Sequence, residues 1–177
     1  MAQLSRELRR AASIATDKNF LAILAATSGI TTAASTGVTA TAVLADLTGR
    51  LNALTIGADS RLWWIVPVKL YKELSLLQGT NGWLMQGNKI NNINVAPSDA
   101  ATTVATLIDA KQVAVGLETV TINQSNEATI ELDDNPTASD YKLVSLFSSN
   151  LTALMAEIWY GCLGLRSTAI TTLTGYS

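Results

Sequence analysis

Hydrophobic residues recur at every third or fourth position in the first half of the chain, which is the spacing of an amphipathic helix. The first predicted helix covers Gln3 to about Thr16, and a second short helical turn over 17–25 would be capped by Asp17. A clearer helix is predicted over Thr39–Leu54, and Gly57 after it is typical of a C-terminal stop. Pro67 favours the start of a third helix, over Val68–Leu77.

Other stretches have the composition of strands. Leu62–Val66 is a continuous apolar run of the length expected for a buried strand, whereas 28–37 is small and polar and predicts a loop. The alternation of strands and helices up to residue 77 indicates a mixed α/β layer. Short strand candidates follow at 82–85, 90–95, 106–108, 113–116, 120–122, 128–132 and 169–173, whereas the pattern over 143–147 does not assign it to a helix or a strand. Residues 151–164 fit a helix by composition and a strand by aromatic content, and periodicity does not decide between them.

Composition narrows the classes of function. The chain is 48% hydrophobic, which argues against disorder, and its 15% of charged residues leaves surface available for partners. The net charge is −2 and the sequence has no basic stripe, so no sequence-specific binding of nucleic acid is expected. The charge-free span 20–45 is too rich in Thr, Ser and Gly to cross a bilayer, so no membrane partner is expected.

Two residue counts exclude whole classes of site. The chain has no histidine, which excludes Ser-His-Asp and Cys-His nucleophile systems and every histidine-containing zinc site within it. Cys162 is the one cysteine, so no intrachain disulfide can form, and its apolar neighbours indicate a buried small residue rather than a nucleophile.

Acidic and glycine-rich stretches are the candidates for a metal site, an acid–base pair and a phosphate loop. Asp133, Asp134 and Asp140 could suggest a calcium loop, but they lack the glycine and terminal glutamate of an EF-hand and favour a solvated turn. Three glutamates could supply an acid–base pair, or their side chains could simply face water, which their strand-rich surroundings favour. These residues are Glu118, Glu127 and Glu131. Glycines at 79, 82 and 87 do not join a strand to a helix, so a phosphate loop is not predicted.

The tryptophans leave two interpretations. Trp63, Trp64, Trp83 and Trp159 could form a surface on which a ligand stacks, or they could pack in the core and in interfaces. We therefore predict no catalytic residue, no cofactor-binding residue, no metal site and no cofactor; the chain is not expected to be an enzyme.

The order of segments resembles the C-terminal portion of tailed-bacteriophage major capsid proteins of the Hong Kong 97 type, from about Ser5 to the end. The segments that carry the resemblance are, in order, DKNFLAIL at Asp17, TATAVLADLTGRL, SRLWWIVPVKLYKELSLL, LIDAKQVAVG, TVTINQSNEATIELDD and SLFSSNLTALMAEIWYGCLGLRSTAI. Each is weakly specific alone, and their shared order and spacing make the match.

The resemblance implies an α+β class with the Hong Kong 97-type phage capsid fold. A mixed α/β axial domain would be joined by part of an elongated peripheral domain. Residues 1–18 would be the end of the long peripheral-domain helix, 19–140 the axial-type α/β domain, and 141–177 the peripheral strands and the return to the axial domain. Residues 79–97 would form loops near the centre of a pentamer or hexamer.

The resemblance also implies the function. The chain would be a structural subunit of a phage or prophage shell, made in the bacterial host cytoplasm and located in the virion. Its partners would be copies of itself in pentamers and hexamers around the packaged genome, and a scaffold and a prohead protease stay open as further partners. Asn150 lies in a segment similar to the one that bears a cross-linking acceptor in some relatives, and we expect it to be an ordinary residue here.

Complete subunits of the family are longer, with an N-terminal arm and an extended loop that do not fit ahead of Gln3. The sequence is therefore expected to be a truncated form, a proteolytic core or a prophage remnant, which would be a monomer or small oligomer in solution. The alternative function is a secreted carbohydrate- or surface-binding module that uses Trp63, Trp64 and Trp83 as a platform. That module predicts exposed tryptophans, whereas a capsid axial domain predicts that Trp63 or Trp64 is buried against its helices.

Overall fold

A computed structural model of the protein describes residues 2–80, 82–131 and 143–176. The described residues form three α-helices: α1 (Ala2–Ala25), α2 (Ala40–Ala53) and α3 (Val68–Leu76). They also form fourteen strands: β1 (Thr31–Ala34), β2 (Leu62–Pro67), β3 (Gln78–Gly79), β4 (Gly82–Trp83), β5 (Lys89–Ile90), β6 (Ile93–Ser98), β7 (Val104–Asp109), β8 (Val113–Leu117), β9 (Thr121–Ser125), β10 (Thr129–Glu131), β11 (Leu143–Ser145), β12 (Ala153–Glu157), β13 (Tyr160–Gly164) and β14 (Ile170–Thr174). The predicted helices and strands of the first half are largely confirmed, and the differences are instructive.

The helices α2 and α3 begin and end where their patterns predict. Thr39 caps α2, and its hydroxyl accepts a hydrogen bond from the Ala42 amide at 3.3 Å. Pro67 directly precedes α3. The predicted break at Asp17 is wrong, because α1 is one continuous helix through that residue. No glycine or proline occurs within 2–25 to interrupt it, and Gly29, with a φ of +81°, turns the chain only after the helix has ended.

A six-stranded mixed sheet is the centre of the larger part of the chain, with the strand order β1-β14-β7-β2-β6-β5. The pairs β1–β14 and β2–β6 are parallel, and the other neighbours are antiparallel. The loop predicted over 28–37 is therefore wrong at its centre, where Thr31–Ala34 forms an edge strand. The hydroxyls of Thr32 and Thr172 also hydrogen-bond at 2.8 Å, which joins this edge to its neighbour.

Hydrophobic side chains cover both faces of this sheet, because neighbouring residues of a strand point to opposite faces. On one face, Trp64 and Val66 pack in a buried cluster with residues of α2 and α3, among them Leu47 and Leu70. On the other face, Ile108 and Ile170 form a smaller buried cluster with Leu24 of α1. The result is a helix–sheet–helix arrangement in three layers.

The undecided segment 151–164 forms two strands rather than a helix. β12 pairs antiparallel with β9, so that Met155 lies opposite Asn123, and β13 pairs with β8. The strands β10 and β11 make a further antiparallel pair, and β3 with β4 makes another. The turn predicted at Asp133–Asp140 lies outside the described residues.

The chain divides into two compact units. Unit 1 comprises residues 1–12 and 117–159, and unit 2 comprises 13–116 and 160–177. The boundary expected at residue 140 would separate β9 and β10 from their partners β12 and β11, whereas the observed division keeps these pairs together. The assignment of the units to axial and peripheral domains stays a prediction.

One glycine of β13 is required by a close approach of neighbouring side chains. A Cβ on Gly164 would lie 2.7 Å from Cδ1 of Ile170 and 3.3 Å from the Thr27 hydroxyl. Ile170 is fully buried and therefore has little room to turn away. We expect Gly164→Ala to lower the free energy of unfolding by about 1–2 kcal/mol through overpacking, measured by urea denaturation.

Gly161 is the matched control, because it lies in the same strand and a Cβ there would meet no atom within 4 Å. Gly161→Ala should change the unfolding midpoint little or raise it slightly. Equal losses for the two variants would mean that strand conformation, rather than contact with Ile170, determines the glycine at 164.

Candidate functional site

A buried carboxylate in α2 organises the loop after β1 and the C-terminal residues of unit 2. Asp46 accepts hydrogen bonds from the Ser35 hydroxyl at 3.0 Å and from the Thr36 hydroxyl at 2.7 Å. The Thr36 amide donates to it at 2.9 Å, and the Tyr176 hydroxyl at 3.0 Å. A single side chain thereby holds residues that are 10 and 130 positions away in sequence.

These hydrogen bonds determine the protonation of the cluster. Burial acts to raise the pKa of Asp46, but the donors from Thr36, Tyr176 and Ser35 outweigh it and hold that pKa below its ordinary value. Burial, together with the neighbouring Asp46 charge, raises the pKa of Tyr176 to about 12. At neutral pH the cluster is therefore a carboxylate surrounded by neutral donors, which suits a structural role rather than proton transfer.

Asp109, at the end of β7, is the second buried carboxylate. It accepts from the Ser60 hydroxyl at 2.6 Å, from the Arg61 amide at 2.9 Å and from the Lys111 amide at 3.1 Å. Burial opposes its ionisation, but these donors and the Lys111 charge lower the pKa of Asp109. Neither aspartate was predicted as a site residue from the sequence, although Asp46 lies between Val43 and Leu47 on the apolar stripe of its helix, where a carboxylate needs hydrogen-bond partners.

Two open cavities of unit 2 have polar linings. One, of about 490 Å³, is bordered by the β3–β4 hairpin and the loop after it, including Trp83, Lys89 and Asn92. Another, of about 270 Å³, lies beside Asp109 and includes Asp59 and Arg166. Within the described residues, no group of three or more Cys, Asp or Glu side chains could hold a metal ion. Ser60 and Asp109 border the second cavity, and there the Ser60 hydroxyl donates to a carboxylate that two backbone amides also hold.

The tryptophans do not form one platform. Trp64 is fully buried in the cluster under α2 and α3, as the capsid interpretation predicted for it or Trp63, whereas Trp63 is partly exposed. Neighbours in a strand point to opposite faces, so Trp63 and Trp64 of β2 cannot present their rings to one ligand. Trp83 lies in the β3–β4 hairpin and Trp159 is in unit 1, and both are exposed. The alternative of a binding module that uses Trp63, Trp64 and Trp83 as a platform is not supported, because Trp64 is fully buried.

Cys162 and the three glycines considered for a phosphate loop lie in packed or turn positions. Cys162 is half-buried against the cluster of Leu24, Ile108 and Ile170, and burial raises the pKa of its thiol, which favours the unreactive neutral form. Gly82 and Gly87 have φ values of +107° and +56°, which glycine adopts readily in turns. Gly79 lies in β3. The thiol therefore packs against apolar side chains, as the apolar neighbours of Cys162 predicted, although it is half-buried rather than buried.

The glutamates and Asn150 belong to unit 1. Glu118 and Glu127 are exposed, as expected, whereas Glu131 is half-buried. Asn150 has a left-handed φ of 52°, and its amide donates to the Phe147 carbonyl at 3.2 Å, so it closes a turn. Asparagine tolerates this conformation better than other non-glycine residues, which explains its presence without a cross-link.

Unit 1 has a different surface from unit 2. Among its described residues, Leu146 is the one large apolar side chain that is buried. Large hydrophobic side chains of the same unit are exposed: Leu4, Leu117, Leu143, Phe147, Leu151, Met155 and Trp159. Phe147 is 79% exposed and Trp159 68%. Such a density of exposed apolar groups is typical of a protein–protein contact surface.

Among the described residues, no helix has the length and apolar character that crossing a membrane requires. No family model matches the chain.

Comparison with curated proteins finds a relative in a bacteriophage. The chain is 30% identical over 164 residues to the capsid polyprotein of Pseudomonas phage PAJU2, in a match that covers 83% of this chain. It spans 25% of that polyprotein's length.

Solved structures with the same fold are also viral or virus-like. A chain of the virus-like particle from Pyrococcus furiosus superposes with a TM-score of 0.65 at 15% identity, covering 91% of this chain and 63% of the other. A chain from Mycobacterium phage Che8 superposes with a TM-score of 0.61 at 13% identity, covering 96% and 61%. The chain therefore has the Hong Kong 97-type capsid fold and is a relative of phage major capsid proteins.

Proposed function

We propose that the chain is a structural subunit of a phage or prophage capsid shell, which associates with copies of itself into pentamers and hexamers around the packaged genome. The relationship to a phage capsid polyprotein and the shared fold support the class of function. The observation within this chain that carries the proposal is the exposed apolar surface of unit 1.

The described strands of unit 1 bury little apolar surface within the unit. Isolated two-stranded ribbons are marginally stable in water, and three or more strands or a covering element are normally needed. The β9–β12 and β10–β11 pairs of unit 1 have two strands each, and among the unit's described large apolar side chains only Leu146 is buried. Covering Phe147, Leu151 and Trp159 would bury apolar area that each copy leaves in water, at about 25 cal/mol per Å². A neighbouring subunit is the partner that a shell supplies.

In this proposal unit 2, with its six-stranded sheet, is the axial-type domain, and unit 1 belongs to the peripheral domain. The exposed Trp83 lies in the β3–β4 hairpin, within residues 79–97, where the resemblance expects loops near the ring centre, and Leu76 is exposed at the end of α3 just before it. Head-to-tail contacts that close after five or six copies would form the rings. The subunit would be located in the virion, with a scaffold and a prohead protease as further partners to be sought.

The proposal predicts that this chain is a main component of particles. Particles pelleted from induced source cells should yield the tryptic peptide 112–142, which lies between two lysine cleavage sites without another lysine or arginine inside it. We expect it among the most abundant peptides in mass spectrometry of the digest, because a shell protein is the most numerous protein of a virion.

The particle-free supernatant of the same cells is the control, in which the peptide should be much less abundant. Intact particles that lack the peptide would overturn the proposal, since a shell cannot form without its subunit.

A further inference from the structure

The charges of the chain are divided unevenly along it. Residues 117–159, here called the acidic segment, contain seven acidic residues and one basic residue. The whole chain has 14 acidic and 12 basic residues, so the remainder has 7 acidic and 11 basic. The acidic segment therefore has a formal charge of −6 and the rest +4, which gives the net −2. A division of this size favours contact between copies over a uniform repulsion between them.

The strongest basic group outside that segment lies at the start of α1. Arg6, Arg9 and Arg10 are spaced by three and four residues, so they lie on one face of the helix, here called the arginine face. All three are exposed. Like charges at this spacing destabilise a helix, and Glu7 is the one acidic residue of the first twelve. Among the described residues, no ion pair is recorded for the three arginines.

The acidic segment presents carboxylates at fixed points of its backbone. Glu118 is exposed, and its amide donates to the Trp159 carbonyl at 2.9 Å, which joins the two ends of the segment. Glu127 is exposed in the turn before β10, and its amide donates to the Ser125 hydroxyl at 3.4 Å. Both carboxylates belong to the unit that also exposes large apolar side chains. Protein interfaces commonly combine apolar groups with polar and charged ones.

We propose that the arginine face of one copy binds the exposed carboxylates Glu118 and Glu127 of a neighbouring copy, in the unit that also exposes large apolar side chains. The inference rests on the proposed function, because it names the contact between subunits that a shell requires. Each copy has one surface of each sign, so the contact is heterologous and can repeat around a ring. A nucleic acid partner fits less well, since the acidic segment in the same unit would repel its phosphates.

Charge exchange between copies tests the contact. Variant A has Arg6→Glu and Arg9→Glu, and variant B has Glu118→Arg and Glu127→Arg. Sedimentation velocity across a concentration series measures the self-association of each at low ionic strength. We expect A alone and B alone to associate about tenfold more weakly than the unaltered chain, because attraction becomes repulsion at each contact. An equimolar mixture of A and B should recover most of the association, since each altered surface then meets its complement in the other copy.

Two controls set the scale. The exposed pair Lys18→Glu and Lys72→Glu changes the net charge as variant A does, away from the arginine face, and should associate like the unaltered chain. Raising the ionic strength from about 0.02 M to about 0.5 M should weaken the unaltered chain's association and leave variant A nearly unchanged. Circular dichroism of A and B verifies that both remain folded.

Several results would overturn the contact. Variants A and B that associate as well as the unaltered chain would exclude it, as would a mixture that recovers nothing, which would place the charge pairs within one chain. An unaltered chain that stays monomeric at every concentration also overturns it. Binding of generic duplex DNA that A loses while it still self-associates would assign the arginines to nucleic acid. The proposed function is judged separately, by the peptide 112–142 in particles.

Discussion

Replacing Asp46 by alanine is expected to lower the free energy of unfolding by about 3–4 kcal/mol, measured by urea denaturation. The carboxylate accepts hydrogen bonds from four donor groups, of which the Thr36 amide and the Tyr176 hydroxyl donate to no other residue. An unsatisfied donor in a buried site costs about 1–3 kcal/mol, which applies to Tyr176 at 4% exposure, and each hydrogen bond lost at the more exposed Ser35 and Thr36 adds about 0.5–1.5 kcal/mol. Asp46→Asn should lose about half as much, because one amide oxygen can still accept.

Exposed Asp59 is the matched control, and Asp59→Asn should change stability by less than about 0.5 kcal/mol. Tyr176→Phe removes one donor of the cluster and should lower stability by about 1 kcal/mol. If Asp46→Ala were no worse than Tyr176→Phe, the carboxylate would be solvated in the folded protein and the network would not hold the C-terminal residues.

The same cluster makes stability depend on pH. The folded-state pKa of Asp46 is lowered, so its contribution is fully present above the unfolded-state pKa and is lost as the pH falls through the folded-state pKa. Asp109 acts in the same direction. Lowering the pH below the ordinary pKa range of aspartate should therefore lower the free energy of unfolding. Asp46→Asn should make the free energy of unfolding depend less steeply on pH, and the remaining dependence should come in part from Asp109.

The sequence predicted the elements whose causes are local. The stripe of Val43, Leu47 and Leu51, with Thr39 before it, was sufficient for α2, and the run Leu62–Val66 with Pro67 was sufficient for β2 and the start of α3. Each depends on residues within one or two turns or one strand, where periodicity and capping chemistry act.

Elements that depend on distant partners were missed. The strand β1 has four short residues, and its partner β14 is 140 positions away, so nothing nearby distinguishes it from a loop. The role of Asp46 depends on Tyr176, 130 positions away. The break predicted within α1 rests on Asp17 as a helix cap, but Asp17 lies on an exposed face of one continuous helix, where a polar residue does not end the helix. Resemblance supplied the fold class, which periodicity alone could not.

The second large effect is expected at Trp64, whose ring is completely buried among side chains of α2, α3 and the sheet. Trp64→Ala should lower the free energy of unfolding by about 4 kcal/mol, since it removes the largest fully buried side chain and leaves a cavity. Among the described residues the indole nitrogen has no hydrogen-bond partner, so Trp64→Phe loses packing only and should cost about 1–2 kcal/mol.

Trp83→Ala is the control for the loss of an indole, because that side chain is 51% exposed and should contribute less than about 1 kcal/mol. Acrylamide quenching gives an independent measurement, since Trp64 should supply a protected, blue-shifted component that disappears in Trp64→Phe and persists in the Trp83 variant. A ligand-stacking platform requires the reverse, with an accessible Trp64 whose removal leaves the fold intact. Protection of this one ring therefore separates a shell domain, which needs the tryptophan for its core, from a binding module, which would need it on the surface.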